Sequence, residues 1–309
     1  MKRKLSTNHT LLIYGIICFS ITTLVSCNAS KKMRVKKLVS SAQMAIEKDE
    51  AHITVLSLTR DLKLSQEKID TTINNRIIAK LHSYQKVTDS AKAHTAAIAN
   101  IFTGSTSFRR GYKNIFELKK PSLDKYISDS AIRYYRFKMI EDGLSVAEKK
   151  LYQMAAFFGP GIYKIPLGKV DLADSMFMPI IDSLIYFSNK YSQISQTGDI
   201  VIDGYADGMD ITPDSELYGQ LLAGLKKSSA TKEELNSQLS QLRAGSIGNL
   251  LHNLVVKNKS QFKSWSTFDI MSFEYGQGET LPTKTIKDYT EDDDRRRVVL
   301  IYWCVLPND

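Results

Sequence analysis

Four short contexts in the last third of this 309-residue chain carry the residue types with which a protein holds a charged ligand. Asp207 closes Gly204-Tyr205-Ala206-Asp207, and Arg243 sits in Leu239-Ser240-Gln241-Leu242-Arg243-Ala244. Gly276-Gln277-Gly278-Glu279 follows, and Arg295-Arg296-Arg297-Val298 precedes a final apolar run. A carboxylate accepts hydrogen bonds from an ammonium, and a guanidinium donates a planar fork to a carboxylate, so Asp207 and Arg243 brought together suit a zwitterion. Arg296 and Arg297 are further donors, equally able to pair with the acidic run Glu291, Asp292, Asp293 and Asp294.

Only a fold can join residues so far apart. Residues 162–167 read as a first strand, and 175–191 as a helix whose Phe177, Ile180, Ile181, Leu184, Ile185 and Phe187 form a broad apolar face. Residues 199–205 alternate as a second strand with Ile200 and Ile202 inward. Residues 235–253 form a second helix, with Leu239, Leu242, Ile247, Leu250, Leu251 and the adjoining Leu254 in the core and Arg243 free to point outward. Residues 268–275 and 298–305 are the last strands, and the latter is apolar almost throughout, as a strand covered on both faces should be. Gly276 and Gly278 suit a tight turn out of a strand.

In that order and those contexts the residues resemble the OmpA-like C-terminal domain, a peptidoglycan-binding family. The resemblance covers about residues 162–309 and implies a β/α sandwich with helices on one face of a small mixed sheet. It implies that Asp207 takes the ammonium and Arg243 the carboxylate of a diaminopimelate-type stem peptide, with Asn236, Arg297 and Arg296 assisting. One departure stands out: residues 211–231 are inserted between the aspartate and the arginine. Pro213-Asp214-Ser215-Glu216, followed by Leu217, Leu221, Leu222 and Leu225, predicts a short helix there. It could loop out and leave the site in register, or it could cover the cleft.

The other end of the chain suggests where such a module would work. Met1-Lys2-Arg3-Lys4, an apolar stretch from Leu11 to Val25, and Leu24-Val25-Ser26-Cys27 read as a secretory signal, short for a membrane span. The tetrapeptide resembles the lipobox of bacterial lipoproteins. It implies a signal over 1–26, acylation of Cys27, and a tether over 27–34. Asn28 after the cysteine points to the outer membrane, with the protein lipid-anchored and facing the periplasm.

Between tether and sheet, residues 35–158 are a helical region, bundle or coiled-coil-like, that no resemblance explains. Ile69, Ile73, Ile77, Leu81, Tyr84, Val87, Ala91, Ile98 and Ile101 mark one face of a long helix, with Asp70, Asn74, Arg76, Lys80 and Lys86 on its wet side. Its partner is expected in residues 35–64, in 123–140, or in another copy. Residues 52–58 read either as helix or as strand. Residues 108–118 form a basic, aromatic connection, suited either to a membrane surface or acidic partner, or to packing its rings on the bundle. Ser145-Val146-Ala147-Glu148 predicts a helix start running through Met154.

The fold class is therefore α+β. The formal charge is +9, and three of those positive charges leave with Lys2, Arg3 and Lys4. The excess is spread out and gives no nucleic-acid signature. Cys18 lies in the signal and Cys27 in the lipobox, which leaves Cys304 as a small buried hydrophobe without a disulfide mate. The histidines show no metal-ligand spacing, and neither a phosphate loop nor a nucleophile elbow occurs, so no enzyme, metal or cofactor is expected. The expected function is a noncovalent tether between outer membrane and wall. The alternative is a structural subunit of an envelope complex, assembled or self-associating through the helical region, with a degenerate ligand site.

Overall fold

The computed structural model describes residues 7–102, 108–147, 149–282 and 287–308, with side chains from residue 29 onward. The Cys27 side chain, the signal segment's side chains and Glu148 lie outside what is described. The chain forms two compact units, Met1–Ile53 with His82–Tyr134, and Thr54–Leu81 with Tyr135–Asp309.

The first unit is helical. It takes the earlier part of α1 (Thr7–Ser65), the later part of α2 (Thr71–Ala99), α3 (Phe108–Gly111), a π-helical turn (Tyr112–Phe116) and α4 (Glu117–Ser128). Val35, Leu38, Ala42 and Ile46 of α1 pack with Ala91 and Ile98 of α2 and with Tyr112, Phe116, Leu123 and Tyr126, so both partner segments expected from the sequence are used. Residues 52–58 are helical, inside α1. The steps of three and four from Tyr84 run through Thr88, Ala91, Thr95 and Ile98, all buried, whereas Val87 falls one position off the stripe and is exposed. Asp49 is buried here and accepts from Tyr126 Oη at 2.6 Å and Arg133 Nε at 2.7 Å, with the Arg133 guanidinium 3.8 Å over the Tyr126 ring. Residues 108–118 are helical rather than a loop. Their rings continue a ladder from Phe102 through Phe108 and Tyr112 to Phe116, with centroids 5.6, 6.0 and 4.7 Å apart, the first two pairs tilted and the last stacked.

The second unit is built on a four-stranded mixed sheet in the order β1-β4-β2-β3, with β2 parallel to β3 and the other pairs antiparallel. The strands are β1 (Lys150–Gln153), β2 (Gln196–Gly204), β3 (Phe268–Gly276) and β4 (Val298–Pro307). Two expectations fail here. The first strand is 150–153 and not 162–167, and α5 (Ser130–Val146) ends where a helix start was predicted. Gly159, Pro160 and Gly161 abut the later segment and Pro166 interrupts it, so the earlier one supplies the short edge that pairs with β4.

Ile200 and Ile202 of β2 and Val299, Ile301, Trp303 and Val305 of β4 share a core with α6 (Val170–Lys190) and α8 (Lys232–Lys257). The intervening residues Val201, Leu300, Tyr302 and Cys304 are buried too, on the opposite face. The start of α2 reaches that face: Arg76 pairs with Asp199 and lies over the Phe273 ring at 5.7 Å, while Thr72 Oγ1 meets Tyr275 Oη at 3.2 Å. Arg76, placed on the wet side by periodicity, thus turns toward the sheet because a buried carboxylate waits there.

Candidate functional site at the carboxyl end of strand β2

Two glycines let α8 lie directly on the ends of β2 and β3. A Cβ on Gly204 would stand 2.3 Å from the Ser240 carbonyl oxygen, and one on Gly276 would stand 2.5 Å from that of Ser237. Gly278 adopts φ +58°, a left-handed turn natural to glycine, and is held on both sides. Its N–H donates to Ser240 Oγ at 2.8 Å and its carbonyl accepts from Ala206 N at 2.9 Å. This seating brings the end of β2, the middle of α8, the turn after β3 and the lead into β4 to one place.

Asp207, Asn236, Arg243, Arg296 and Arg297 are all buried there. Arg297 Nε donates to Asp207 Oδ2, and Arg297 Nη1 also pairs with Asp294, so this arginine bridges the site and the acidic run. Asn236 Nδ2 donates to the Met209 carbonyl at 3.1 Å and to Glu279 Oε1 at 2.7 Å. Arg296 donates to the carbonyls of Thr290 and Glu279.

Arg243 does not point outward. It is 0 % exposed and donates from Nε to the Ile162 carbonyl at 3.1 Å, from Nη1 to that of Tyr205 at 3.1 Å, and from Nη2 to that of Gly159 at 3.3 Å. Its guanidinium also lies 5.6 Å over the Phe158 ring. Burial pulls Arg243 down to about 10, the Asp207 carboxylate opposes that fall and the Arg297 charge adds to it, so Arg243 remains a cation at neutral pH.

Among the described residues, neither Arg243 nor Arg296 is ion-paired with a carboxylate; backbone carbonyls alone hold them. Two buried polar atoms in the cluster have no partner, the acceptor Asn236 Oδ1 and the donor Arg296 Nε. The cluster therefore keeps one spare cationic donor, Arg296 Nε, and one spare acceptor, Asn236 Oδ1, while Arg243 lies in the field of Asp207 without a direct ion pair.

The sequence did not foretell the strap over Arg243, residues 158–163, because its contribution is two backbone carbonyls and a ring. The Gly159-Pro160-Gly161 break was its only signal. The insertion holds a helix as predicted, α7 (Glu216–Leu225), with Ser215 Oγ accepting from Tyr218 N as its cap. This helix packs Leu221 on Leu235 and Leu239 of α8 and buttresses the strap. Tyr163 Oη and Gln220 Oε1 are 2.8 Å apart, and a Cβ on Gly161, which adopts φ +66°, would stand 2.9 Å from Leu217. Between strap and α7 lies an open groove of about 320 Å³, lined by Gly161, Ile162, Tyr163, Lys164, Glu216, Leu217 and Gln220.

No family model and no curated protein matches the chain. Among solved structures, a MotB-like protein from Desulfovibrio vulgaris aligns over 57% of this chain and 92% of its own, with a TM-score of 0.29 and 13% sequence identity.

Proposed function

We propose that the sheet-bearing unit is an OmpA-like module that binds the stem peptide of peptidoglycan noncovalently. In this reading the chain, acylated at Cys27, ties the bacterial outer membrane to the wall from the periplasmic side and performs no catalysis. The observation that carries it is the convergence of Asp207, Asn236, Arg243, Arg296 and Arg297 in one buried cluster whose two carbonyl-held guanidinium groups lack a carboxylate. A ligand carboxylate replaces the strap carbonyls on Arg243 and reaches Arg296 Nε. The ligand ammonium shares Asp207 with Arg297 and uses Asn236 Oδ1. Desolvated in this way, both contacts are charge-assisted, each contributing about 1.5 to 3 kcal/mol. One site then gives modest affinity, which lipid anchoring of many copies beside the wall multiplies through effective concentration.

A second reading has its own observation. The strap and α7 already cover Arg243, so the module could serve as a closed structural part of an envelope assembly, with the helical unit as its contact surface. The separating experiment is sedimentation of the full chain with purified peptidoglycan, beside Asp207→Asn and Arg296→Gln variants verified as folded by circular dichroism. Binding by the parent, weakened at least tenfold in both variants and competed by free diaminopimelate, is the expected result. A folded parent that stays in the supernatant at every wall concentration rejects ligand binding and leaves the assembly reading.

A further inference from the structure

The basic, aromatic segment after α2 has no part in the ligand site, and the helical unit gives it one. Lys31 Nζ lies 5.1 Å over the Tyr112 ring and Lys32 Nζ lies 5.7 Å over the Phe108 ring. These contacts place the segment 108–116 beside Lys31 and Lys32 of α1, and so merge two basic runs that are distant in sequence. Lys31, Lys32, Arg34, Lys36 and Lys37 come from α1, and Arg109, Arg110 and Lys113 from the segment. Lys31 is half-buried against its ring and the others are exposed. Residues 29–46 and 108–116 contain no aspartate or glutamate. Among the described residues none of these eight cations is in an ion pair, although elsewhere in the same unit Lys92 pairs with Glu50, Lys120 with Asp124 and Arg133 with Asp49.

Apolar groups are set among the charges. Met33, between Lys32 and Arg34, is 73 % exposed, and the Phe102 ring at the head of the aromatic ladder is 38 % exposed. Cations on long stems around a few exposed apolar groups suit the boundary between phosphate headgroups and acyl chains. The cluster begins one helical turn after Cys27, on the same helix.

We propose that this end of the helical unit is a docking face for anionic phospholipid headgroups, lying flat on the membrane that holds the acyl anchor. Its location rests on the lipid-anchor reading, while its affinity for anionic headgroups does not. Each cation close to such a surface contributes roughly fivefold in affinity, and the attraction collapses when salt shortens the screening length to about 3 Å at 1 M.

The test uses the full acylated chain, reconstituted on vesicles of phosphatidylcholine alone or with added phosphatidylglycerol. Protection of Lys31, Lys32, Lys36, Lys37 and Lys113 from a water-soluble amine reagent is read by mass spectrometry. Expected is at least fivefold protection on the anionic vesicles only, lost in high salt. An Arg109→Gln, Arg110→Gln, Lys113→Gln variant should lose it as well, and because these side chains are exposed it should keep the parent's fold. Equal labelling on both vesicle types, with the protein still floating on each, overturns the docking face and leaves the anchor intact. If the chain fails to float on phosphatidylcholine, the anchor reading fails. Flotation on anionic vesicles then decides the inference: parent bound and variant free supports it, and neither bound rejects it. Capture by soluble anionic glycan in place of vesicles would also reject it.

Discussion

Replacing Asp199 by asparagine should flatten the pH dependence of the sheet-bearing unit. Asp199 is fully buried on β2, its Oδ2 accepts from Arg76, and its Oδ1 has no partner, so a proton can settle there without breaking a bond. Burial pushes the carboxyl up to about 6, against Arg76 and Lys80, which favour the charged form. In the unfolded chain an aspartate ionises near about 3.9. Because the folded value is the higher one, ionisation costs stability. The cost is absent below the unfolded value, grows as pH rises from about 4 to about 6, and is complete above that window. About two pH units at roughly 1.4 kcal/mol each make a full cost of about 3 kcal/mol, of which about 2 kcal/mol returns on acidifying from about pH 7.5 to about pH 4.5. Urea unfolding followed by tryptophan fluorescence measures it, since the chain's two tryptophans, Trp265 and Trp303, both belong to this unit. Asp203, which burial also pushes up, is present in parent and variant alike, so the difference between their pH curves isolates Asp199. Parallel curves across that range would refute the reasoning, for then the carboxylate is either solvated or fully neutralised by Arg76.

Arg297→Ala strands the Asp207 carboxylate in a buried site and should cost about 3 to 5 kcal/mol, while in an Asp207→Ala background the same change should cost at least about 2 kcal/mol less; additive losses in a urea double-mutant cycle would mean that the pair is not coupled. Gly204→Ala, whose Cβ would meet the Ser240 carbonyl at 2.3 Å, should lower stability by more than about 3 kcal/mol. Gly245→Ala, in α8 with open space around its Cβ, should raise it by about 0.5 to 1 kcal/mol, and thermal melts that failed to separate the two would contradict the seating of α8 on β2.

The elements most legible in the sequence were those whose own residues decide their state. The leucines after Ser215 announced α7, and the unbroken apolar run 298–305 announced a strand covered on both sides. Long-range partners left no such trace. Periodicity put Arg76 on the wet face because it sees the helix and not Asp199, 123 residues away. It turned Arg243 outward because the groups that receive it are main-chain carbonyls, which every residue has. The helix carrying Arg243 begins at Lys232 and not at 235, since Thr231 and Glu234 form a capping box on polar residues that an apolar stripe does not include. Strand β1 was missed for being short, half-exposed and defined only by its pairing with β4. The five candidate residues were singled out by type and order, and the structure gathers them in one buried cluster. What the sequence could not convey was that they meet a strap and lie out of reach of solvent.

The covering of the sheet's second face sets a timetable for the newly made chain. Thr72 and Arg76 of α2 emerge early, yet their partners on the sheet come much later: Asp199 follows Arg76 by 123 residues, and Tyr275 follows Thr72 by 203. The central pairing of β2 with β4 closes only when the last residues have been delivered. Until then the start of α2 lacks the sheet it docks on, although its later part can already pack on α1, and contacts of such long sequence separation form slowly. Truncations from the carboxyl end would therefore leave the start of α2 without the sheet it docks on, in a chain prone to aggregate through a segment near its beginning.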